Sequence, residues 1–301
     1  MEPLSKLSNI YTIHNELLPD KVITMLLQVI QSITKVHSIY LIGMQKESKS
    51  SFYLFNPTLQ KESSTVYAYK LTLLVISEEY IAQPKEFMSE VFSKMNESVR
   101  IDSIHFTISD VKYRLNHGDN FLSRILKPEN EIYTAESLLS CRYFYHPKMY
   151  AMIKKEWEFR MNRAYYFKDK IDVCDDIYDE SAKMLLISQS LQQACTALLN
   201  VFWEYKPSYY DLSHLLNLCD NFCSSPKIVL PKASFRSKRV FHALYHAQYN
   251  VNFKSVDDVS IKDSNYAQRL CRRFLGNAAN EGKKKLQELE SLHREVKVRR
   301  K

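Results

Sequence analysis

The sequence predicts an α+β chain in two parts, an α/β layer over residues 1–137 followed by an all-α, up-down helical bundle over 138–282. Three observations lead there. Between residues 19 and 135, apolar residues at helical 3–4 spacing alternate with β-branched and aromatic runs. From about residue 147 strand signals almost disappear and long amphipathic segments replace them. Only 4 of 301 residues are Gly, which leaves no Gly-rich phosphate loop and argues against doubly wound nucleotide folds and β-propellers. The length suits two domains of ordinary size, and 45% hydrophobic with 25% charged residues is a composition that builds cores.

The first element is a helix opened by Pro19 and Asp20, with Val22, Ile23, Leu26, Leu27, Ile30 and Ile33 on one face. SIYLIG (38–43) reads as a strand, and a Ser-rich turn leads to FYLF (52–55). VYAYKLTLLVI (66–76) is the next strand, followed by a helix from Lys85 to Ser98 after Pro84. RIDSIHFTI (100–108) gives a further strand, with Ser109 as the expected N-cap of the helix DVKYRLNH. The stretch CRYFYHPK (141–148) marks the boundary, where Pro147 can start a helix.

In the second part, residues 148–178 and 180–205 read as an antiparallel pair of long amphipathic helices. DLSHLLNLCDNF is a shorter helix, SSPKIVLPK breaks the pattern with two prolines, and FRSKRVFHALYHAQY resumes it. The last helix runs from about Asp263 to His293, with Gly276 and Gly282 as weak points. Residues 283–301 form a basic tail with eight Lys/Arg against three Glu, so +5 of the chain's +8 resides there. The folded parts are therefore close to neutral, and the charge of the chain points to a polyanion contact mainly through that tail or the smaller cluster from Lys227 to Arg239.

The polar start MEPLSKLSNI and six cysteines confined to the second half predict a reducing cytoplasmic setting. No stretch approaches 18 consecutive apolar residues, so no membrane span is expected. Cys219-x3-Cys223 with His242-x3-His246 has part of a zinc spacing, but its linker is longer than in a common finger and both pairs fall on helices. Free thiols are the expectation, with no metal and no cofactor. The 20 tyrosines cluster in RYFYH, RAYYF, SYYD and LYHAQY, where packing at helix interfaces and base stacking beside Arg and Lys are both open.

The run SQSLQQACTALLNVFWEYKPSYYDLSHLL resembles the HEPN family of helical domains. Its Gln193-Ala194, Ala197-Leu198-Leu199, Pro207, Asp211-Leu212 and His214-Leu215-Leu216 occur in that family's order. Ala247, Tyr249 and Phe253 match a later aromatic motif, with Gln248 where Arg is usual, so the resemblance covers about residues 147–280. It implies a homodimer through the helices. It also implies an Arg/His pair for metal-independent RNA cleavage, in which His moves the 2′-hydroxyl proton and Arg stabilises the phosphate. Arg239 with His246 is the implied catalytic pair, with Arg236 and His242 as alternates; Arg100 and His105 share the spacing inside a predicted strand.

The first part resembles the minimal nucleotidyltransferases, which are often joined to HEPN domains. Those enzymes carry Gly-Ser after the first strand, two aspartates on the next and a third carboxylate on a following strand, holding two metal ions. Here Gly43 is followed by Met44, Lys70 and Thr72 occupy the paired aspartate positions, and Asp102 stands near the third. Gly118, Phe121 and Tyr133 match the closing helix-and-strand segment. The resemblance implies a degenerate nucleotide site at Gly43, Lys70, Thr72 and Asp102, with Tyr249 as a contact in the helical part. One carboxylate does not hold two magnesium ions. The expected function is non-catalytic nucleotide or RNA binding, or regulation, with metal-independent RNA cleavage and a purely structural interaction module as the alternatives.

Overall fold

The computed structural model describes residues 18–49, 66–136, 150–173, 179–231, 234–253 and 259–299. The chain is α+β and divides into two compact units, residues 1–145 and 146–301. FYLF (52–55) and the boundary stretch 141–148 lie outside the described residues.

Unit 1 runs α1 (Asp20–Ile33), β1 (Val36–Lys49), β2 (Val66–Ser77), α2 (Pro84–Lys94), β3 (Val99–Thr107), α3 (Ile108–Asn116), α4 (Asn120–Ile125) and β4 (Glu131–Thr134). The sheet order is β3-β2-β1-β4, with β2 and β3 parallel and the other pairs antiparallel. Leu26 and Ile30 of α1 and Phe87 and Val91 of α2 bury one face of this sheet, against Ile39, Leu41, Leu71, Leu73, Val75 and Ile101. Those strand residues alternate, as the two-residue period of a pleated strand requires. On the opposite face α3 packs against β2 and β3, where Leu74, Ile76, Ile104 and Phe106 are buried. The Arg114 guanidinium of α3 lies 4.5 Å over the Phe106 ring.

Three local expectations are corrected. β1 continues six residues past Gly43 to Lys49, because the antiparallel pairing with β2 extends to Lys49 opposite Val66. The helix after Pro84 ends at Lys94, not Ser98, since Asn96 and Glu97 take left-handed φ of 50° and 57°. Thr107, not Ser109, caps α3: its hydroxyl accepts from the Asp110 backbone N–H while the Asp110 carboxylate accepts from the Thr107 N–H. This reciprocal box satisfies two end donors at once, which a cap at Ser109 would leave unmatched.

Unit 2 contains α5 (Tyr150–Val173), α6 (Glu180–Trp203), α7 (Leu212–Cys219), α8 (Ser225–Val229), α9 (Phe235–Tyr245), α10 (Ala247–Phe253) and α11 (Ile261–Arg299). The bonds Asn200 to the Ile153 carbonyl, Arg160 to Gln193, and Ser190 to the Ala164 carbonyl run in reverse order along α5 and α6, so the two are antiparallel. Lys183 to Asn265 and Cys271 to Ser190 set α11 parallel to α6. Pro226 opens α8 rather than breaking the pattern, because proline fits a first helical turn whose N–H groups have no helical acceptor. FRSKRVFHALYHAQY is two helices, separated at His246, the C-cap of α9. Residues 283–299 continue α11 without interruption, and Lys285, Leu286 and Leu289 in this stretch are buried. Among the described residues no helix is long and apolar enough to cross a membrane.

Candidate functional site

In unit 1 the sheet register gathers the four motif positions. Gly43 of β1 pairs with Thr72 of β2, and Thr72 pairs with Asp102 of β3, so the three form one row across the sheet. Lys70 lies two residues from Thr72 on the same face, and its ammonium stands 3.8 Å from the Asp102 carboxylate. Both side chains are sequestered, 15% exposed for Lys70 and 4% for Asp102, and Thr72 is buried between them and β1. Met44, the residue after Gly43, packs against the hydrophobic core. The Lys70 ammonium beside the Asp102 carboxylate opposes a divalent cation there.

In unit 2 the implied Arg/His residues share α9 and its C-cap. The His242 and His246 rings, one turn apart, are 4.5 Å apart between centroids. Arg239 bonds to Asp263: Nε donates to Oδ2 at 2.6 Å and Nη2 to Oδ1 at 2.9 Å. Arg236 adds Nε to Asp263 Oδ1 at 3.3 Å, and Nη2 to the Lys262 carbonyl at 2.6 Å. Asp263 is buried in the first turn of α11, where a carboxylate also meets the positive end of the helix dipole. Arg239's hydrogen bonds, opposed by burial, hold its carboxyl below the ordinary value. Two guanidinium groups on one carboxylate leave a net positive centre.

That centre is framed by aromatic rings. Arg236 lies 4.8 Å over Tyr266 of α11, Arg269 approaches the same ring at 5.9 Å, and Arg239 stands 5.8 Å from the exposed ring of Phe235. Arg236, Arg239, Lys262 and Arg269 against Asp263 make a face of net charge +3 with two rings in it. Tyr249 is exposed on α10, with its ring 5.0 Å from that of Phe253. Asp263, Tyr266, Phe235 and Arg269 were not among the sequence candidates. The signal available for them was the Tyr266-x2-Arg269 spacing, one helical turn, but their approach to α9 is a tertiary contact.

The residues that carry the helical resemblance take structural places. Gln193 accepts from Arg160 at 3.1 Å, the Ala197-Leu198-Leu199 run is buried, and Asp211 caps α7 by accepting from the His214 N–H at 3.0 Å. Cys219 is buried, with its thiol donating to the Cys195 carbonyl, and no group of three or more His, Cys, Asp and Glu among the described residues is arranged to hold a metal ion. No known family model matches this chain, and no curated protein is significantly similar to it in sequence.

Proposed function

We propose that this chain is a non-catalytic nucleic-acid-binding protein, in which a degenerate nucleotidyltransferase-like unit precedes a HEPN-like helical unit that binds single-stranded RNA and pairs with a second copy. The observation that carries the reading is the α9–α11 face: guanidinium groups of Arg236, Arg239 and Arg269 interleaved with the rings of Tyr266 and Phe235. Cations attract phosphates and release counterions, while a ring beside them offers a platform to any base. The Lys70–Asp102 pair supports the absence of nucleotidyl transfer, since it neutralises the one carboxylate of the motif row from within.

RNA cleavage by Arg239 would have to compete with Asp263, whose carboxylate accepts from the Nε and Nη2 donors of that guanidinium. The test is fluorescence anisotropy of the full chain with a labelled, mixed-sequence single-stranded RNA, together with a transfer assay using nucleoside triphosphates and magnesium. Salt-sensitive binding without transfer and without shortening of the RNA is expected. Absence of binding at low salt would overturn the reading, and shortening abolished by His246→Ala would replace it with metal-independent cleavage.

A further inference from the structure

The two arginines that meet Asp263 are bonded through one edge of each guanidinium, and the other edge is left over. Arg236 and Arg239 stand three residues apart on α9, so their side chains leave the same face of the helix. Both reach Oδ1 of Asp263, Arg236 through Nε at 3.3 Å and Arg239 through Nη2 at 2.9 Å, which sets the two guanidinium groups side by side. A guanidinium carries five N–H donors in a planar fork. Arg239 uses Nε and Nη2 on Asp263, while Arg236 uses Nε on Asp263 and Nη2 on the Lys262 carbonyl. Nη1 of both is without an acceptor among the described residues.

Burial orders this cluster from the inside outward. The Asp263 side chain is 7% exposed, against 45% for Arg236 and 54% for Arg239. A ligand therefore meets arginine donors, with the carboxylate beneath them. Without an anion between them the two guanidinium groups would repel each other, and as free surface side chains each would lose rotamer freedom on binding. Asp263 removes both costs in advance, because it supplies the anion and each fork is fixed at two points. The Phe235 ring, 79% exposed and 5.8 Å from the Arg239 guanidinium, selects among anions. A nucleotide brings a phosphate and a flat base together, whereas an acidic side chain brings no base.

We propose that Arg236 and Arg239 form a clamp for one phosphate group of the bound nucleic acid through their Nη1 donors, and that Asp263 is the positioning residue that holds both guanidinium groups for it. This rests on the RNA binding proposed above and names the group recognised and the residue that organises its recognition. The consequence runs against simple charge. Asp263→Asn removes a negative charge from the face, so electrostatics alone would tighten RNA binding, whereas loss of the positioned forks weakens it.

Anisotropy of the full chain with the mixed-sequence single-stranded RNA tests it, at low salt, with far-ultraviolet circular dichroism as the check on folding. Asp263→Asn is expected to bind about tenfold more weakly, the scale of one charge-assisted hydrogen bond. Where that variant fails the folding check, Asp263→Glu, which keeps the charge and displaces it by one methylene, takes its place with the same expectation. Arg239→Lys, at an exposed side chain, keeps the charge without the fork and is expected to lose a similar factor. The two losses should not add in Asp263→Asn/Arg239→Lys, since both remove one geometry; additive losses would show that Asp263 acts through the fold, and overturn the proposal. A folded Asp263→Asn or Arg239→Lys that binds as tightly as the wild type, or more tightly, overturns it and leaves RNA binding standing. No binding by the wild type overturns both. RNAs of one sequence with 5′-phosphate and 5′-hydroxyl ends locate the phosphate: equal affinity assigns the clamp to an internal phosphodiester, and tighter binding of the 5′-phosphate assigns it to a terminal one. Displacement of the RNA by poly-glutamate as readily as by polyphosphate of equal charge assigns the clamp to acidic protein and overturns the proposal.

Discussion

Gly282 of α11 lies directly against the indole of Trp157 on α5: a Cβ at 282 would overlap the Cη2, Cζ2 and Cζ3 atoms of that ring. Trp157 is buried, so the ring has little room to withdraw. The two helices approach this closely only because residue 282 has no side chain.

Gly282→Ala is therefore expected to destabilise unit 2 by about 1–3 kcal/mol, the usual range for overpacking a filled site. Gly276→Ala, six residues earlier on the same helix, meets nothing within 4 Å and is expected to gain up to about 1 kcal/mol from helix propensity alone. Urea denaturation followed by tryptophan fluorescence reads both, since Trp157 and Trp203 are the chain's two tryptophans and both lie in unit 2. Equal effects of the two alanines would refute the packing argument.

In unit 1, Lys70→Ala is expected to cost about 3 kcal/mol, because it leaves the Asp102 charge buried in the sheet without its cation. Lys70→Met combined with Asp102→Leu should recover most of that loss, as apolar pairs commonly substitute for buried ions. Hydrogen exchange of the β2 and β3 amides measures the change locally. Unchanged protection in Lys70→Ala would show that the pair does not support the sheet.

The Asp263 cluster makes stability fall in acid. Its carboxyl is depressed in the folded chain, first by the hydrogen bonds from Arg239, so its contribution is complete above the ordinary value of 3.8 and is lost as pH falls through the lower folded value. Asp172 acts in the same sense: burial raises it, but hydrogen bonds from Arg272, Lys168 and Gln268 outweigh that and leave it lowered. Asp263→Asn should lower stability at pH 7 and flatten the acid limb below pH 4. A variant that keeps the wild-type limb would show that the cluster is not linked to unfolding.

For RNA, charge and stacking separate by salt. Arg269→Ala is expected to weaken binding and reduce the slope of log affinity against log salt by about 0.7, one phosphate contact on a single strand. Phe235→Ala should weaken it by about 1–3 kcal/mol with the slope unchanged. Identical slopes for both variants and the wild type would place the phosphates elsewhere.

Cys219, Cys223 and Cys271 should resist alkylation near neutral pH. Burial pushes Cys271 up to about 11, opposed by its hydrogen bond with Ser190, and raises Cys219 and Cys223 as well. Mass mapping after brief iodoacetamide treatment should find Cys219 and Cys271 unmodified; rapid modification of either in the native chain would contradict that burial.

Much of the architecture was legible because apolar periodicity is a local property. The 3–4 spacing of α1, the β-branched run of β2 and the long faces of α5 and α6 each state their own burial. The failures fell where a choice between neighbours is small in energy. Thr107 and Ser109 are both good caps, and only the position of Asp110 completes a box with one of them. Pro226 reads equally as a breaker and as the first turn of a helix. The candidate site was half legible: Arg236 and Arg239 stood out by residue type, whereas Asp263 and Tyr266, 24 or more residues along the chain, did not.

By itself the sequence determined most of the segments that are helices and strands, and the concentration of +5 of the chain's +8 in residues 283–301. These depend on residue type and short spacing. Tertiary structure decided that Gly43, Thr72 and Asp102 share a row, that Lys70 neutralises the carboxylate beside it, and that Asp263 binds two arginines of another helix. Each of these is a contact between distant segments, and a distance through space is fixed only when the sheet register and the helix packing are.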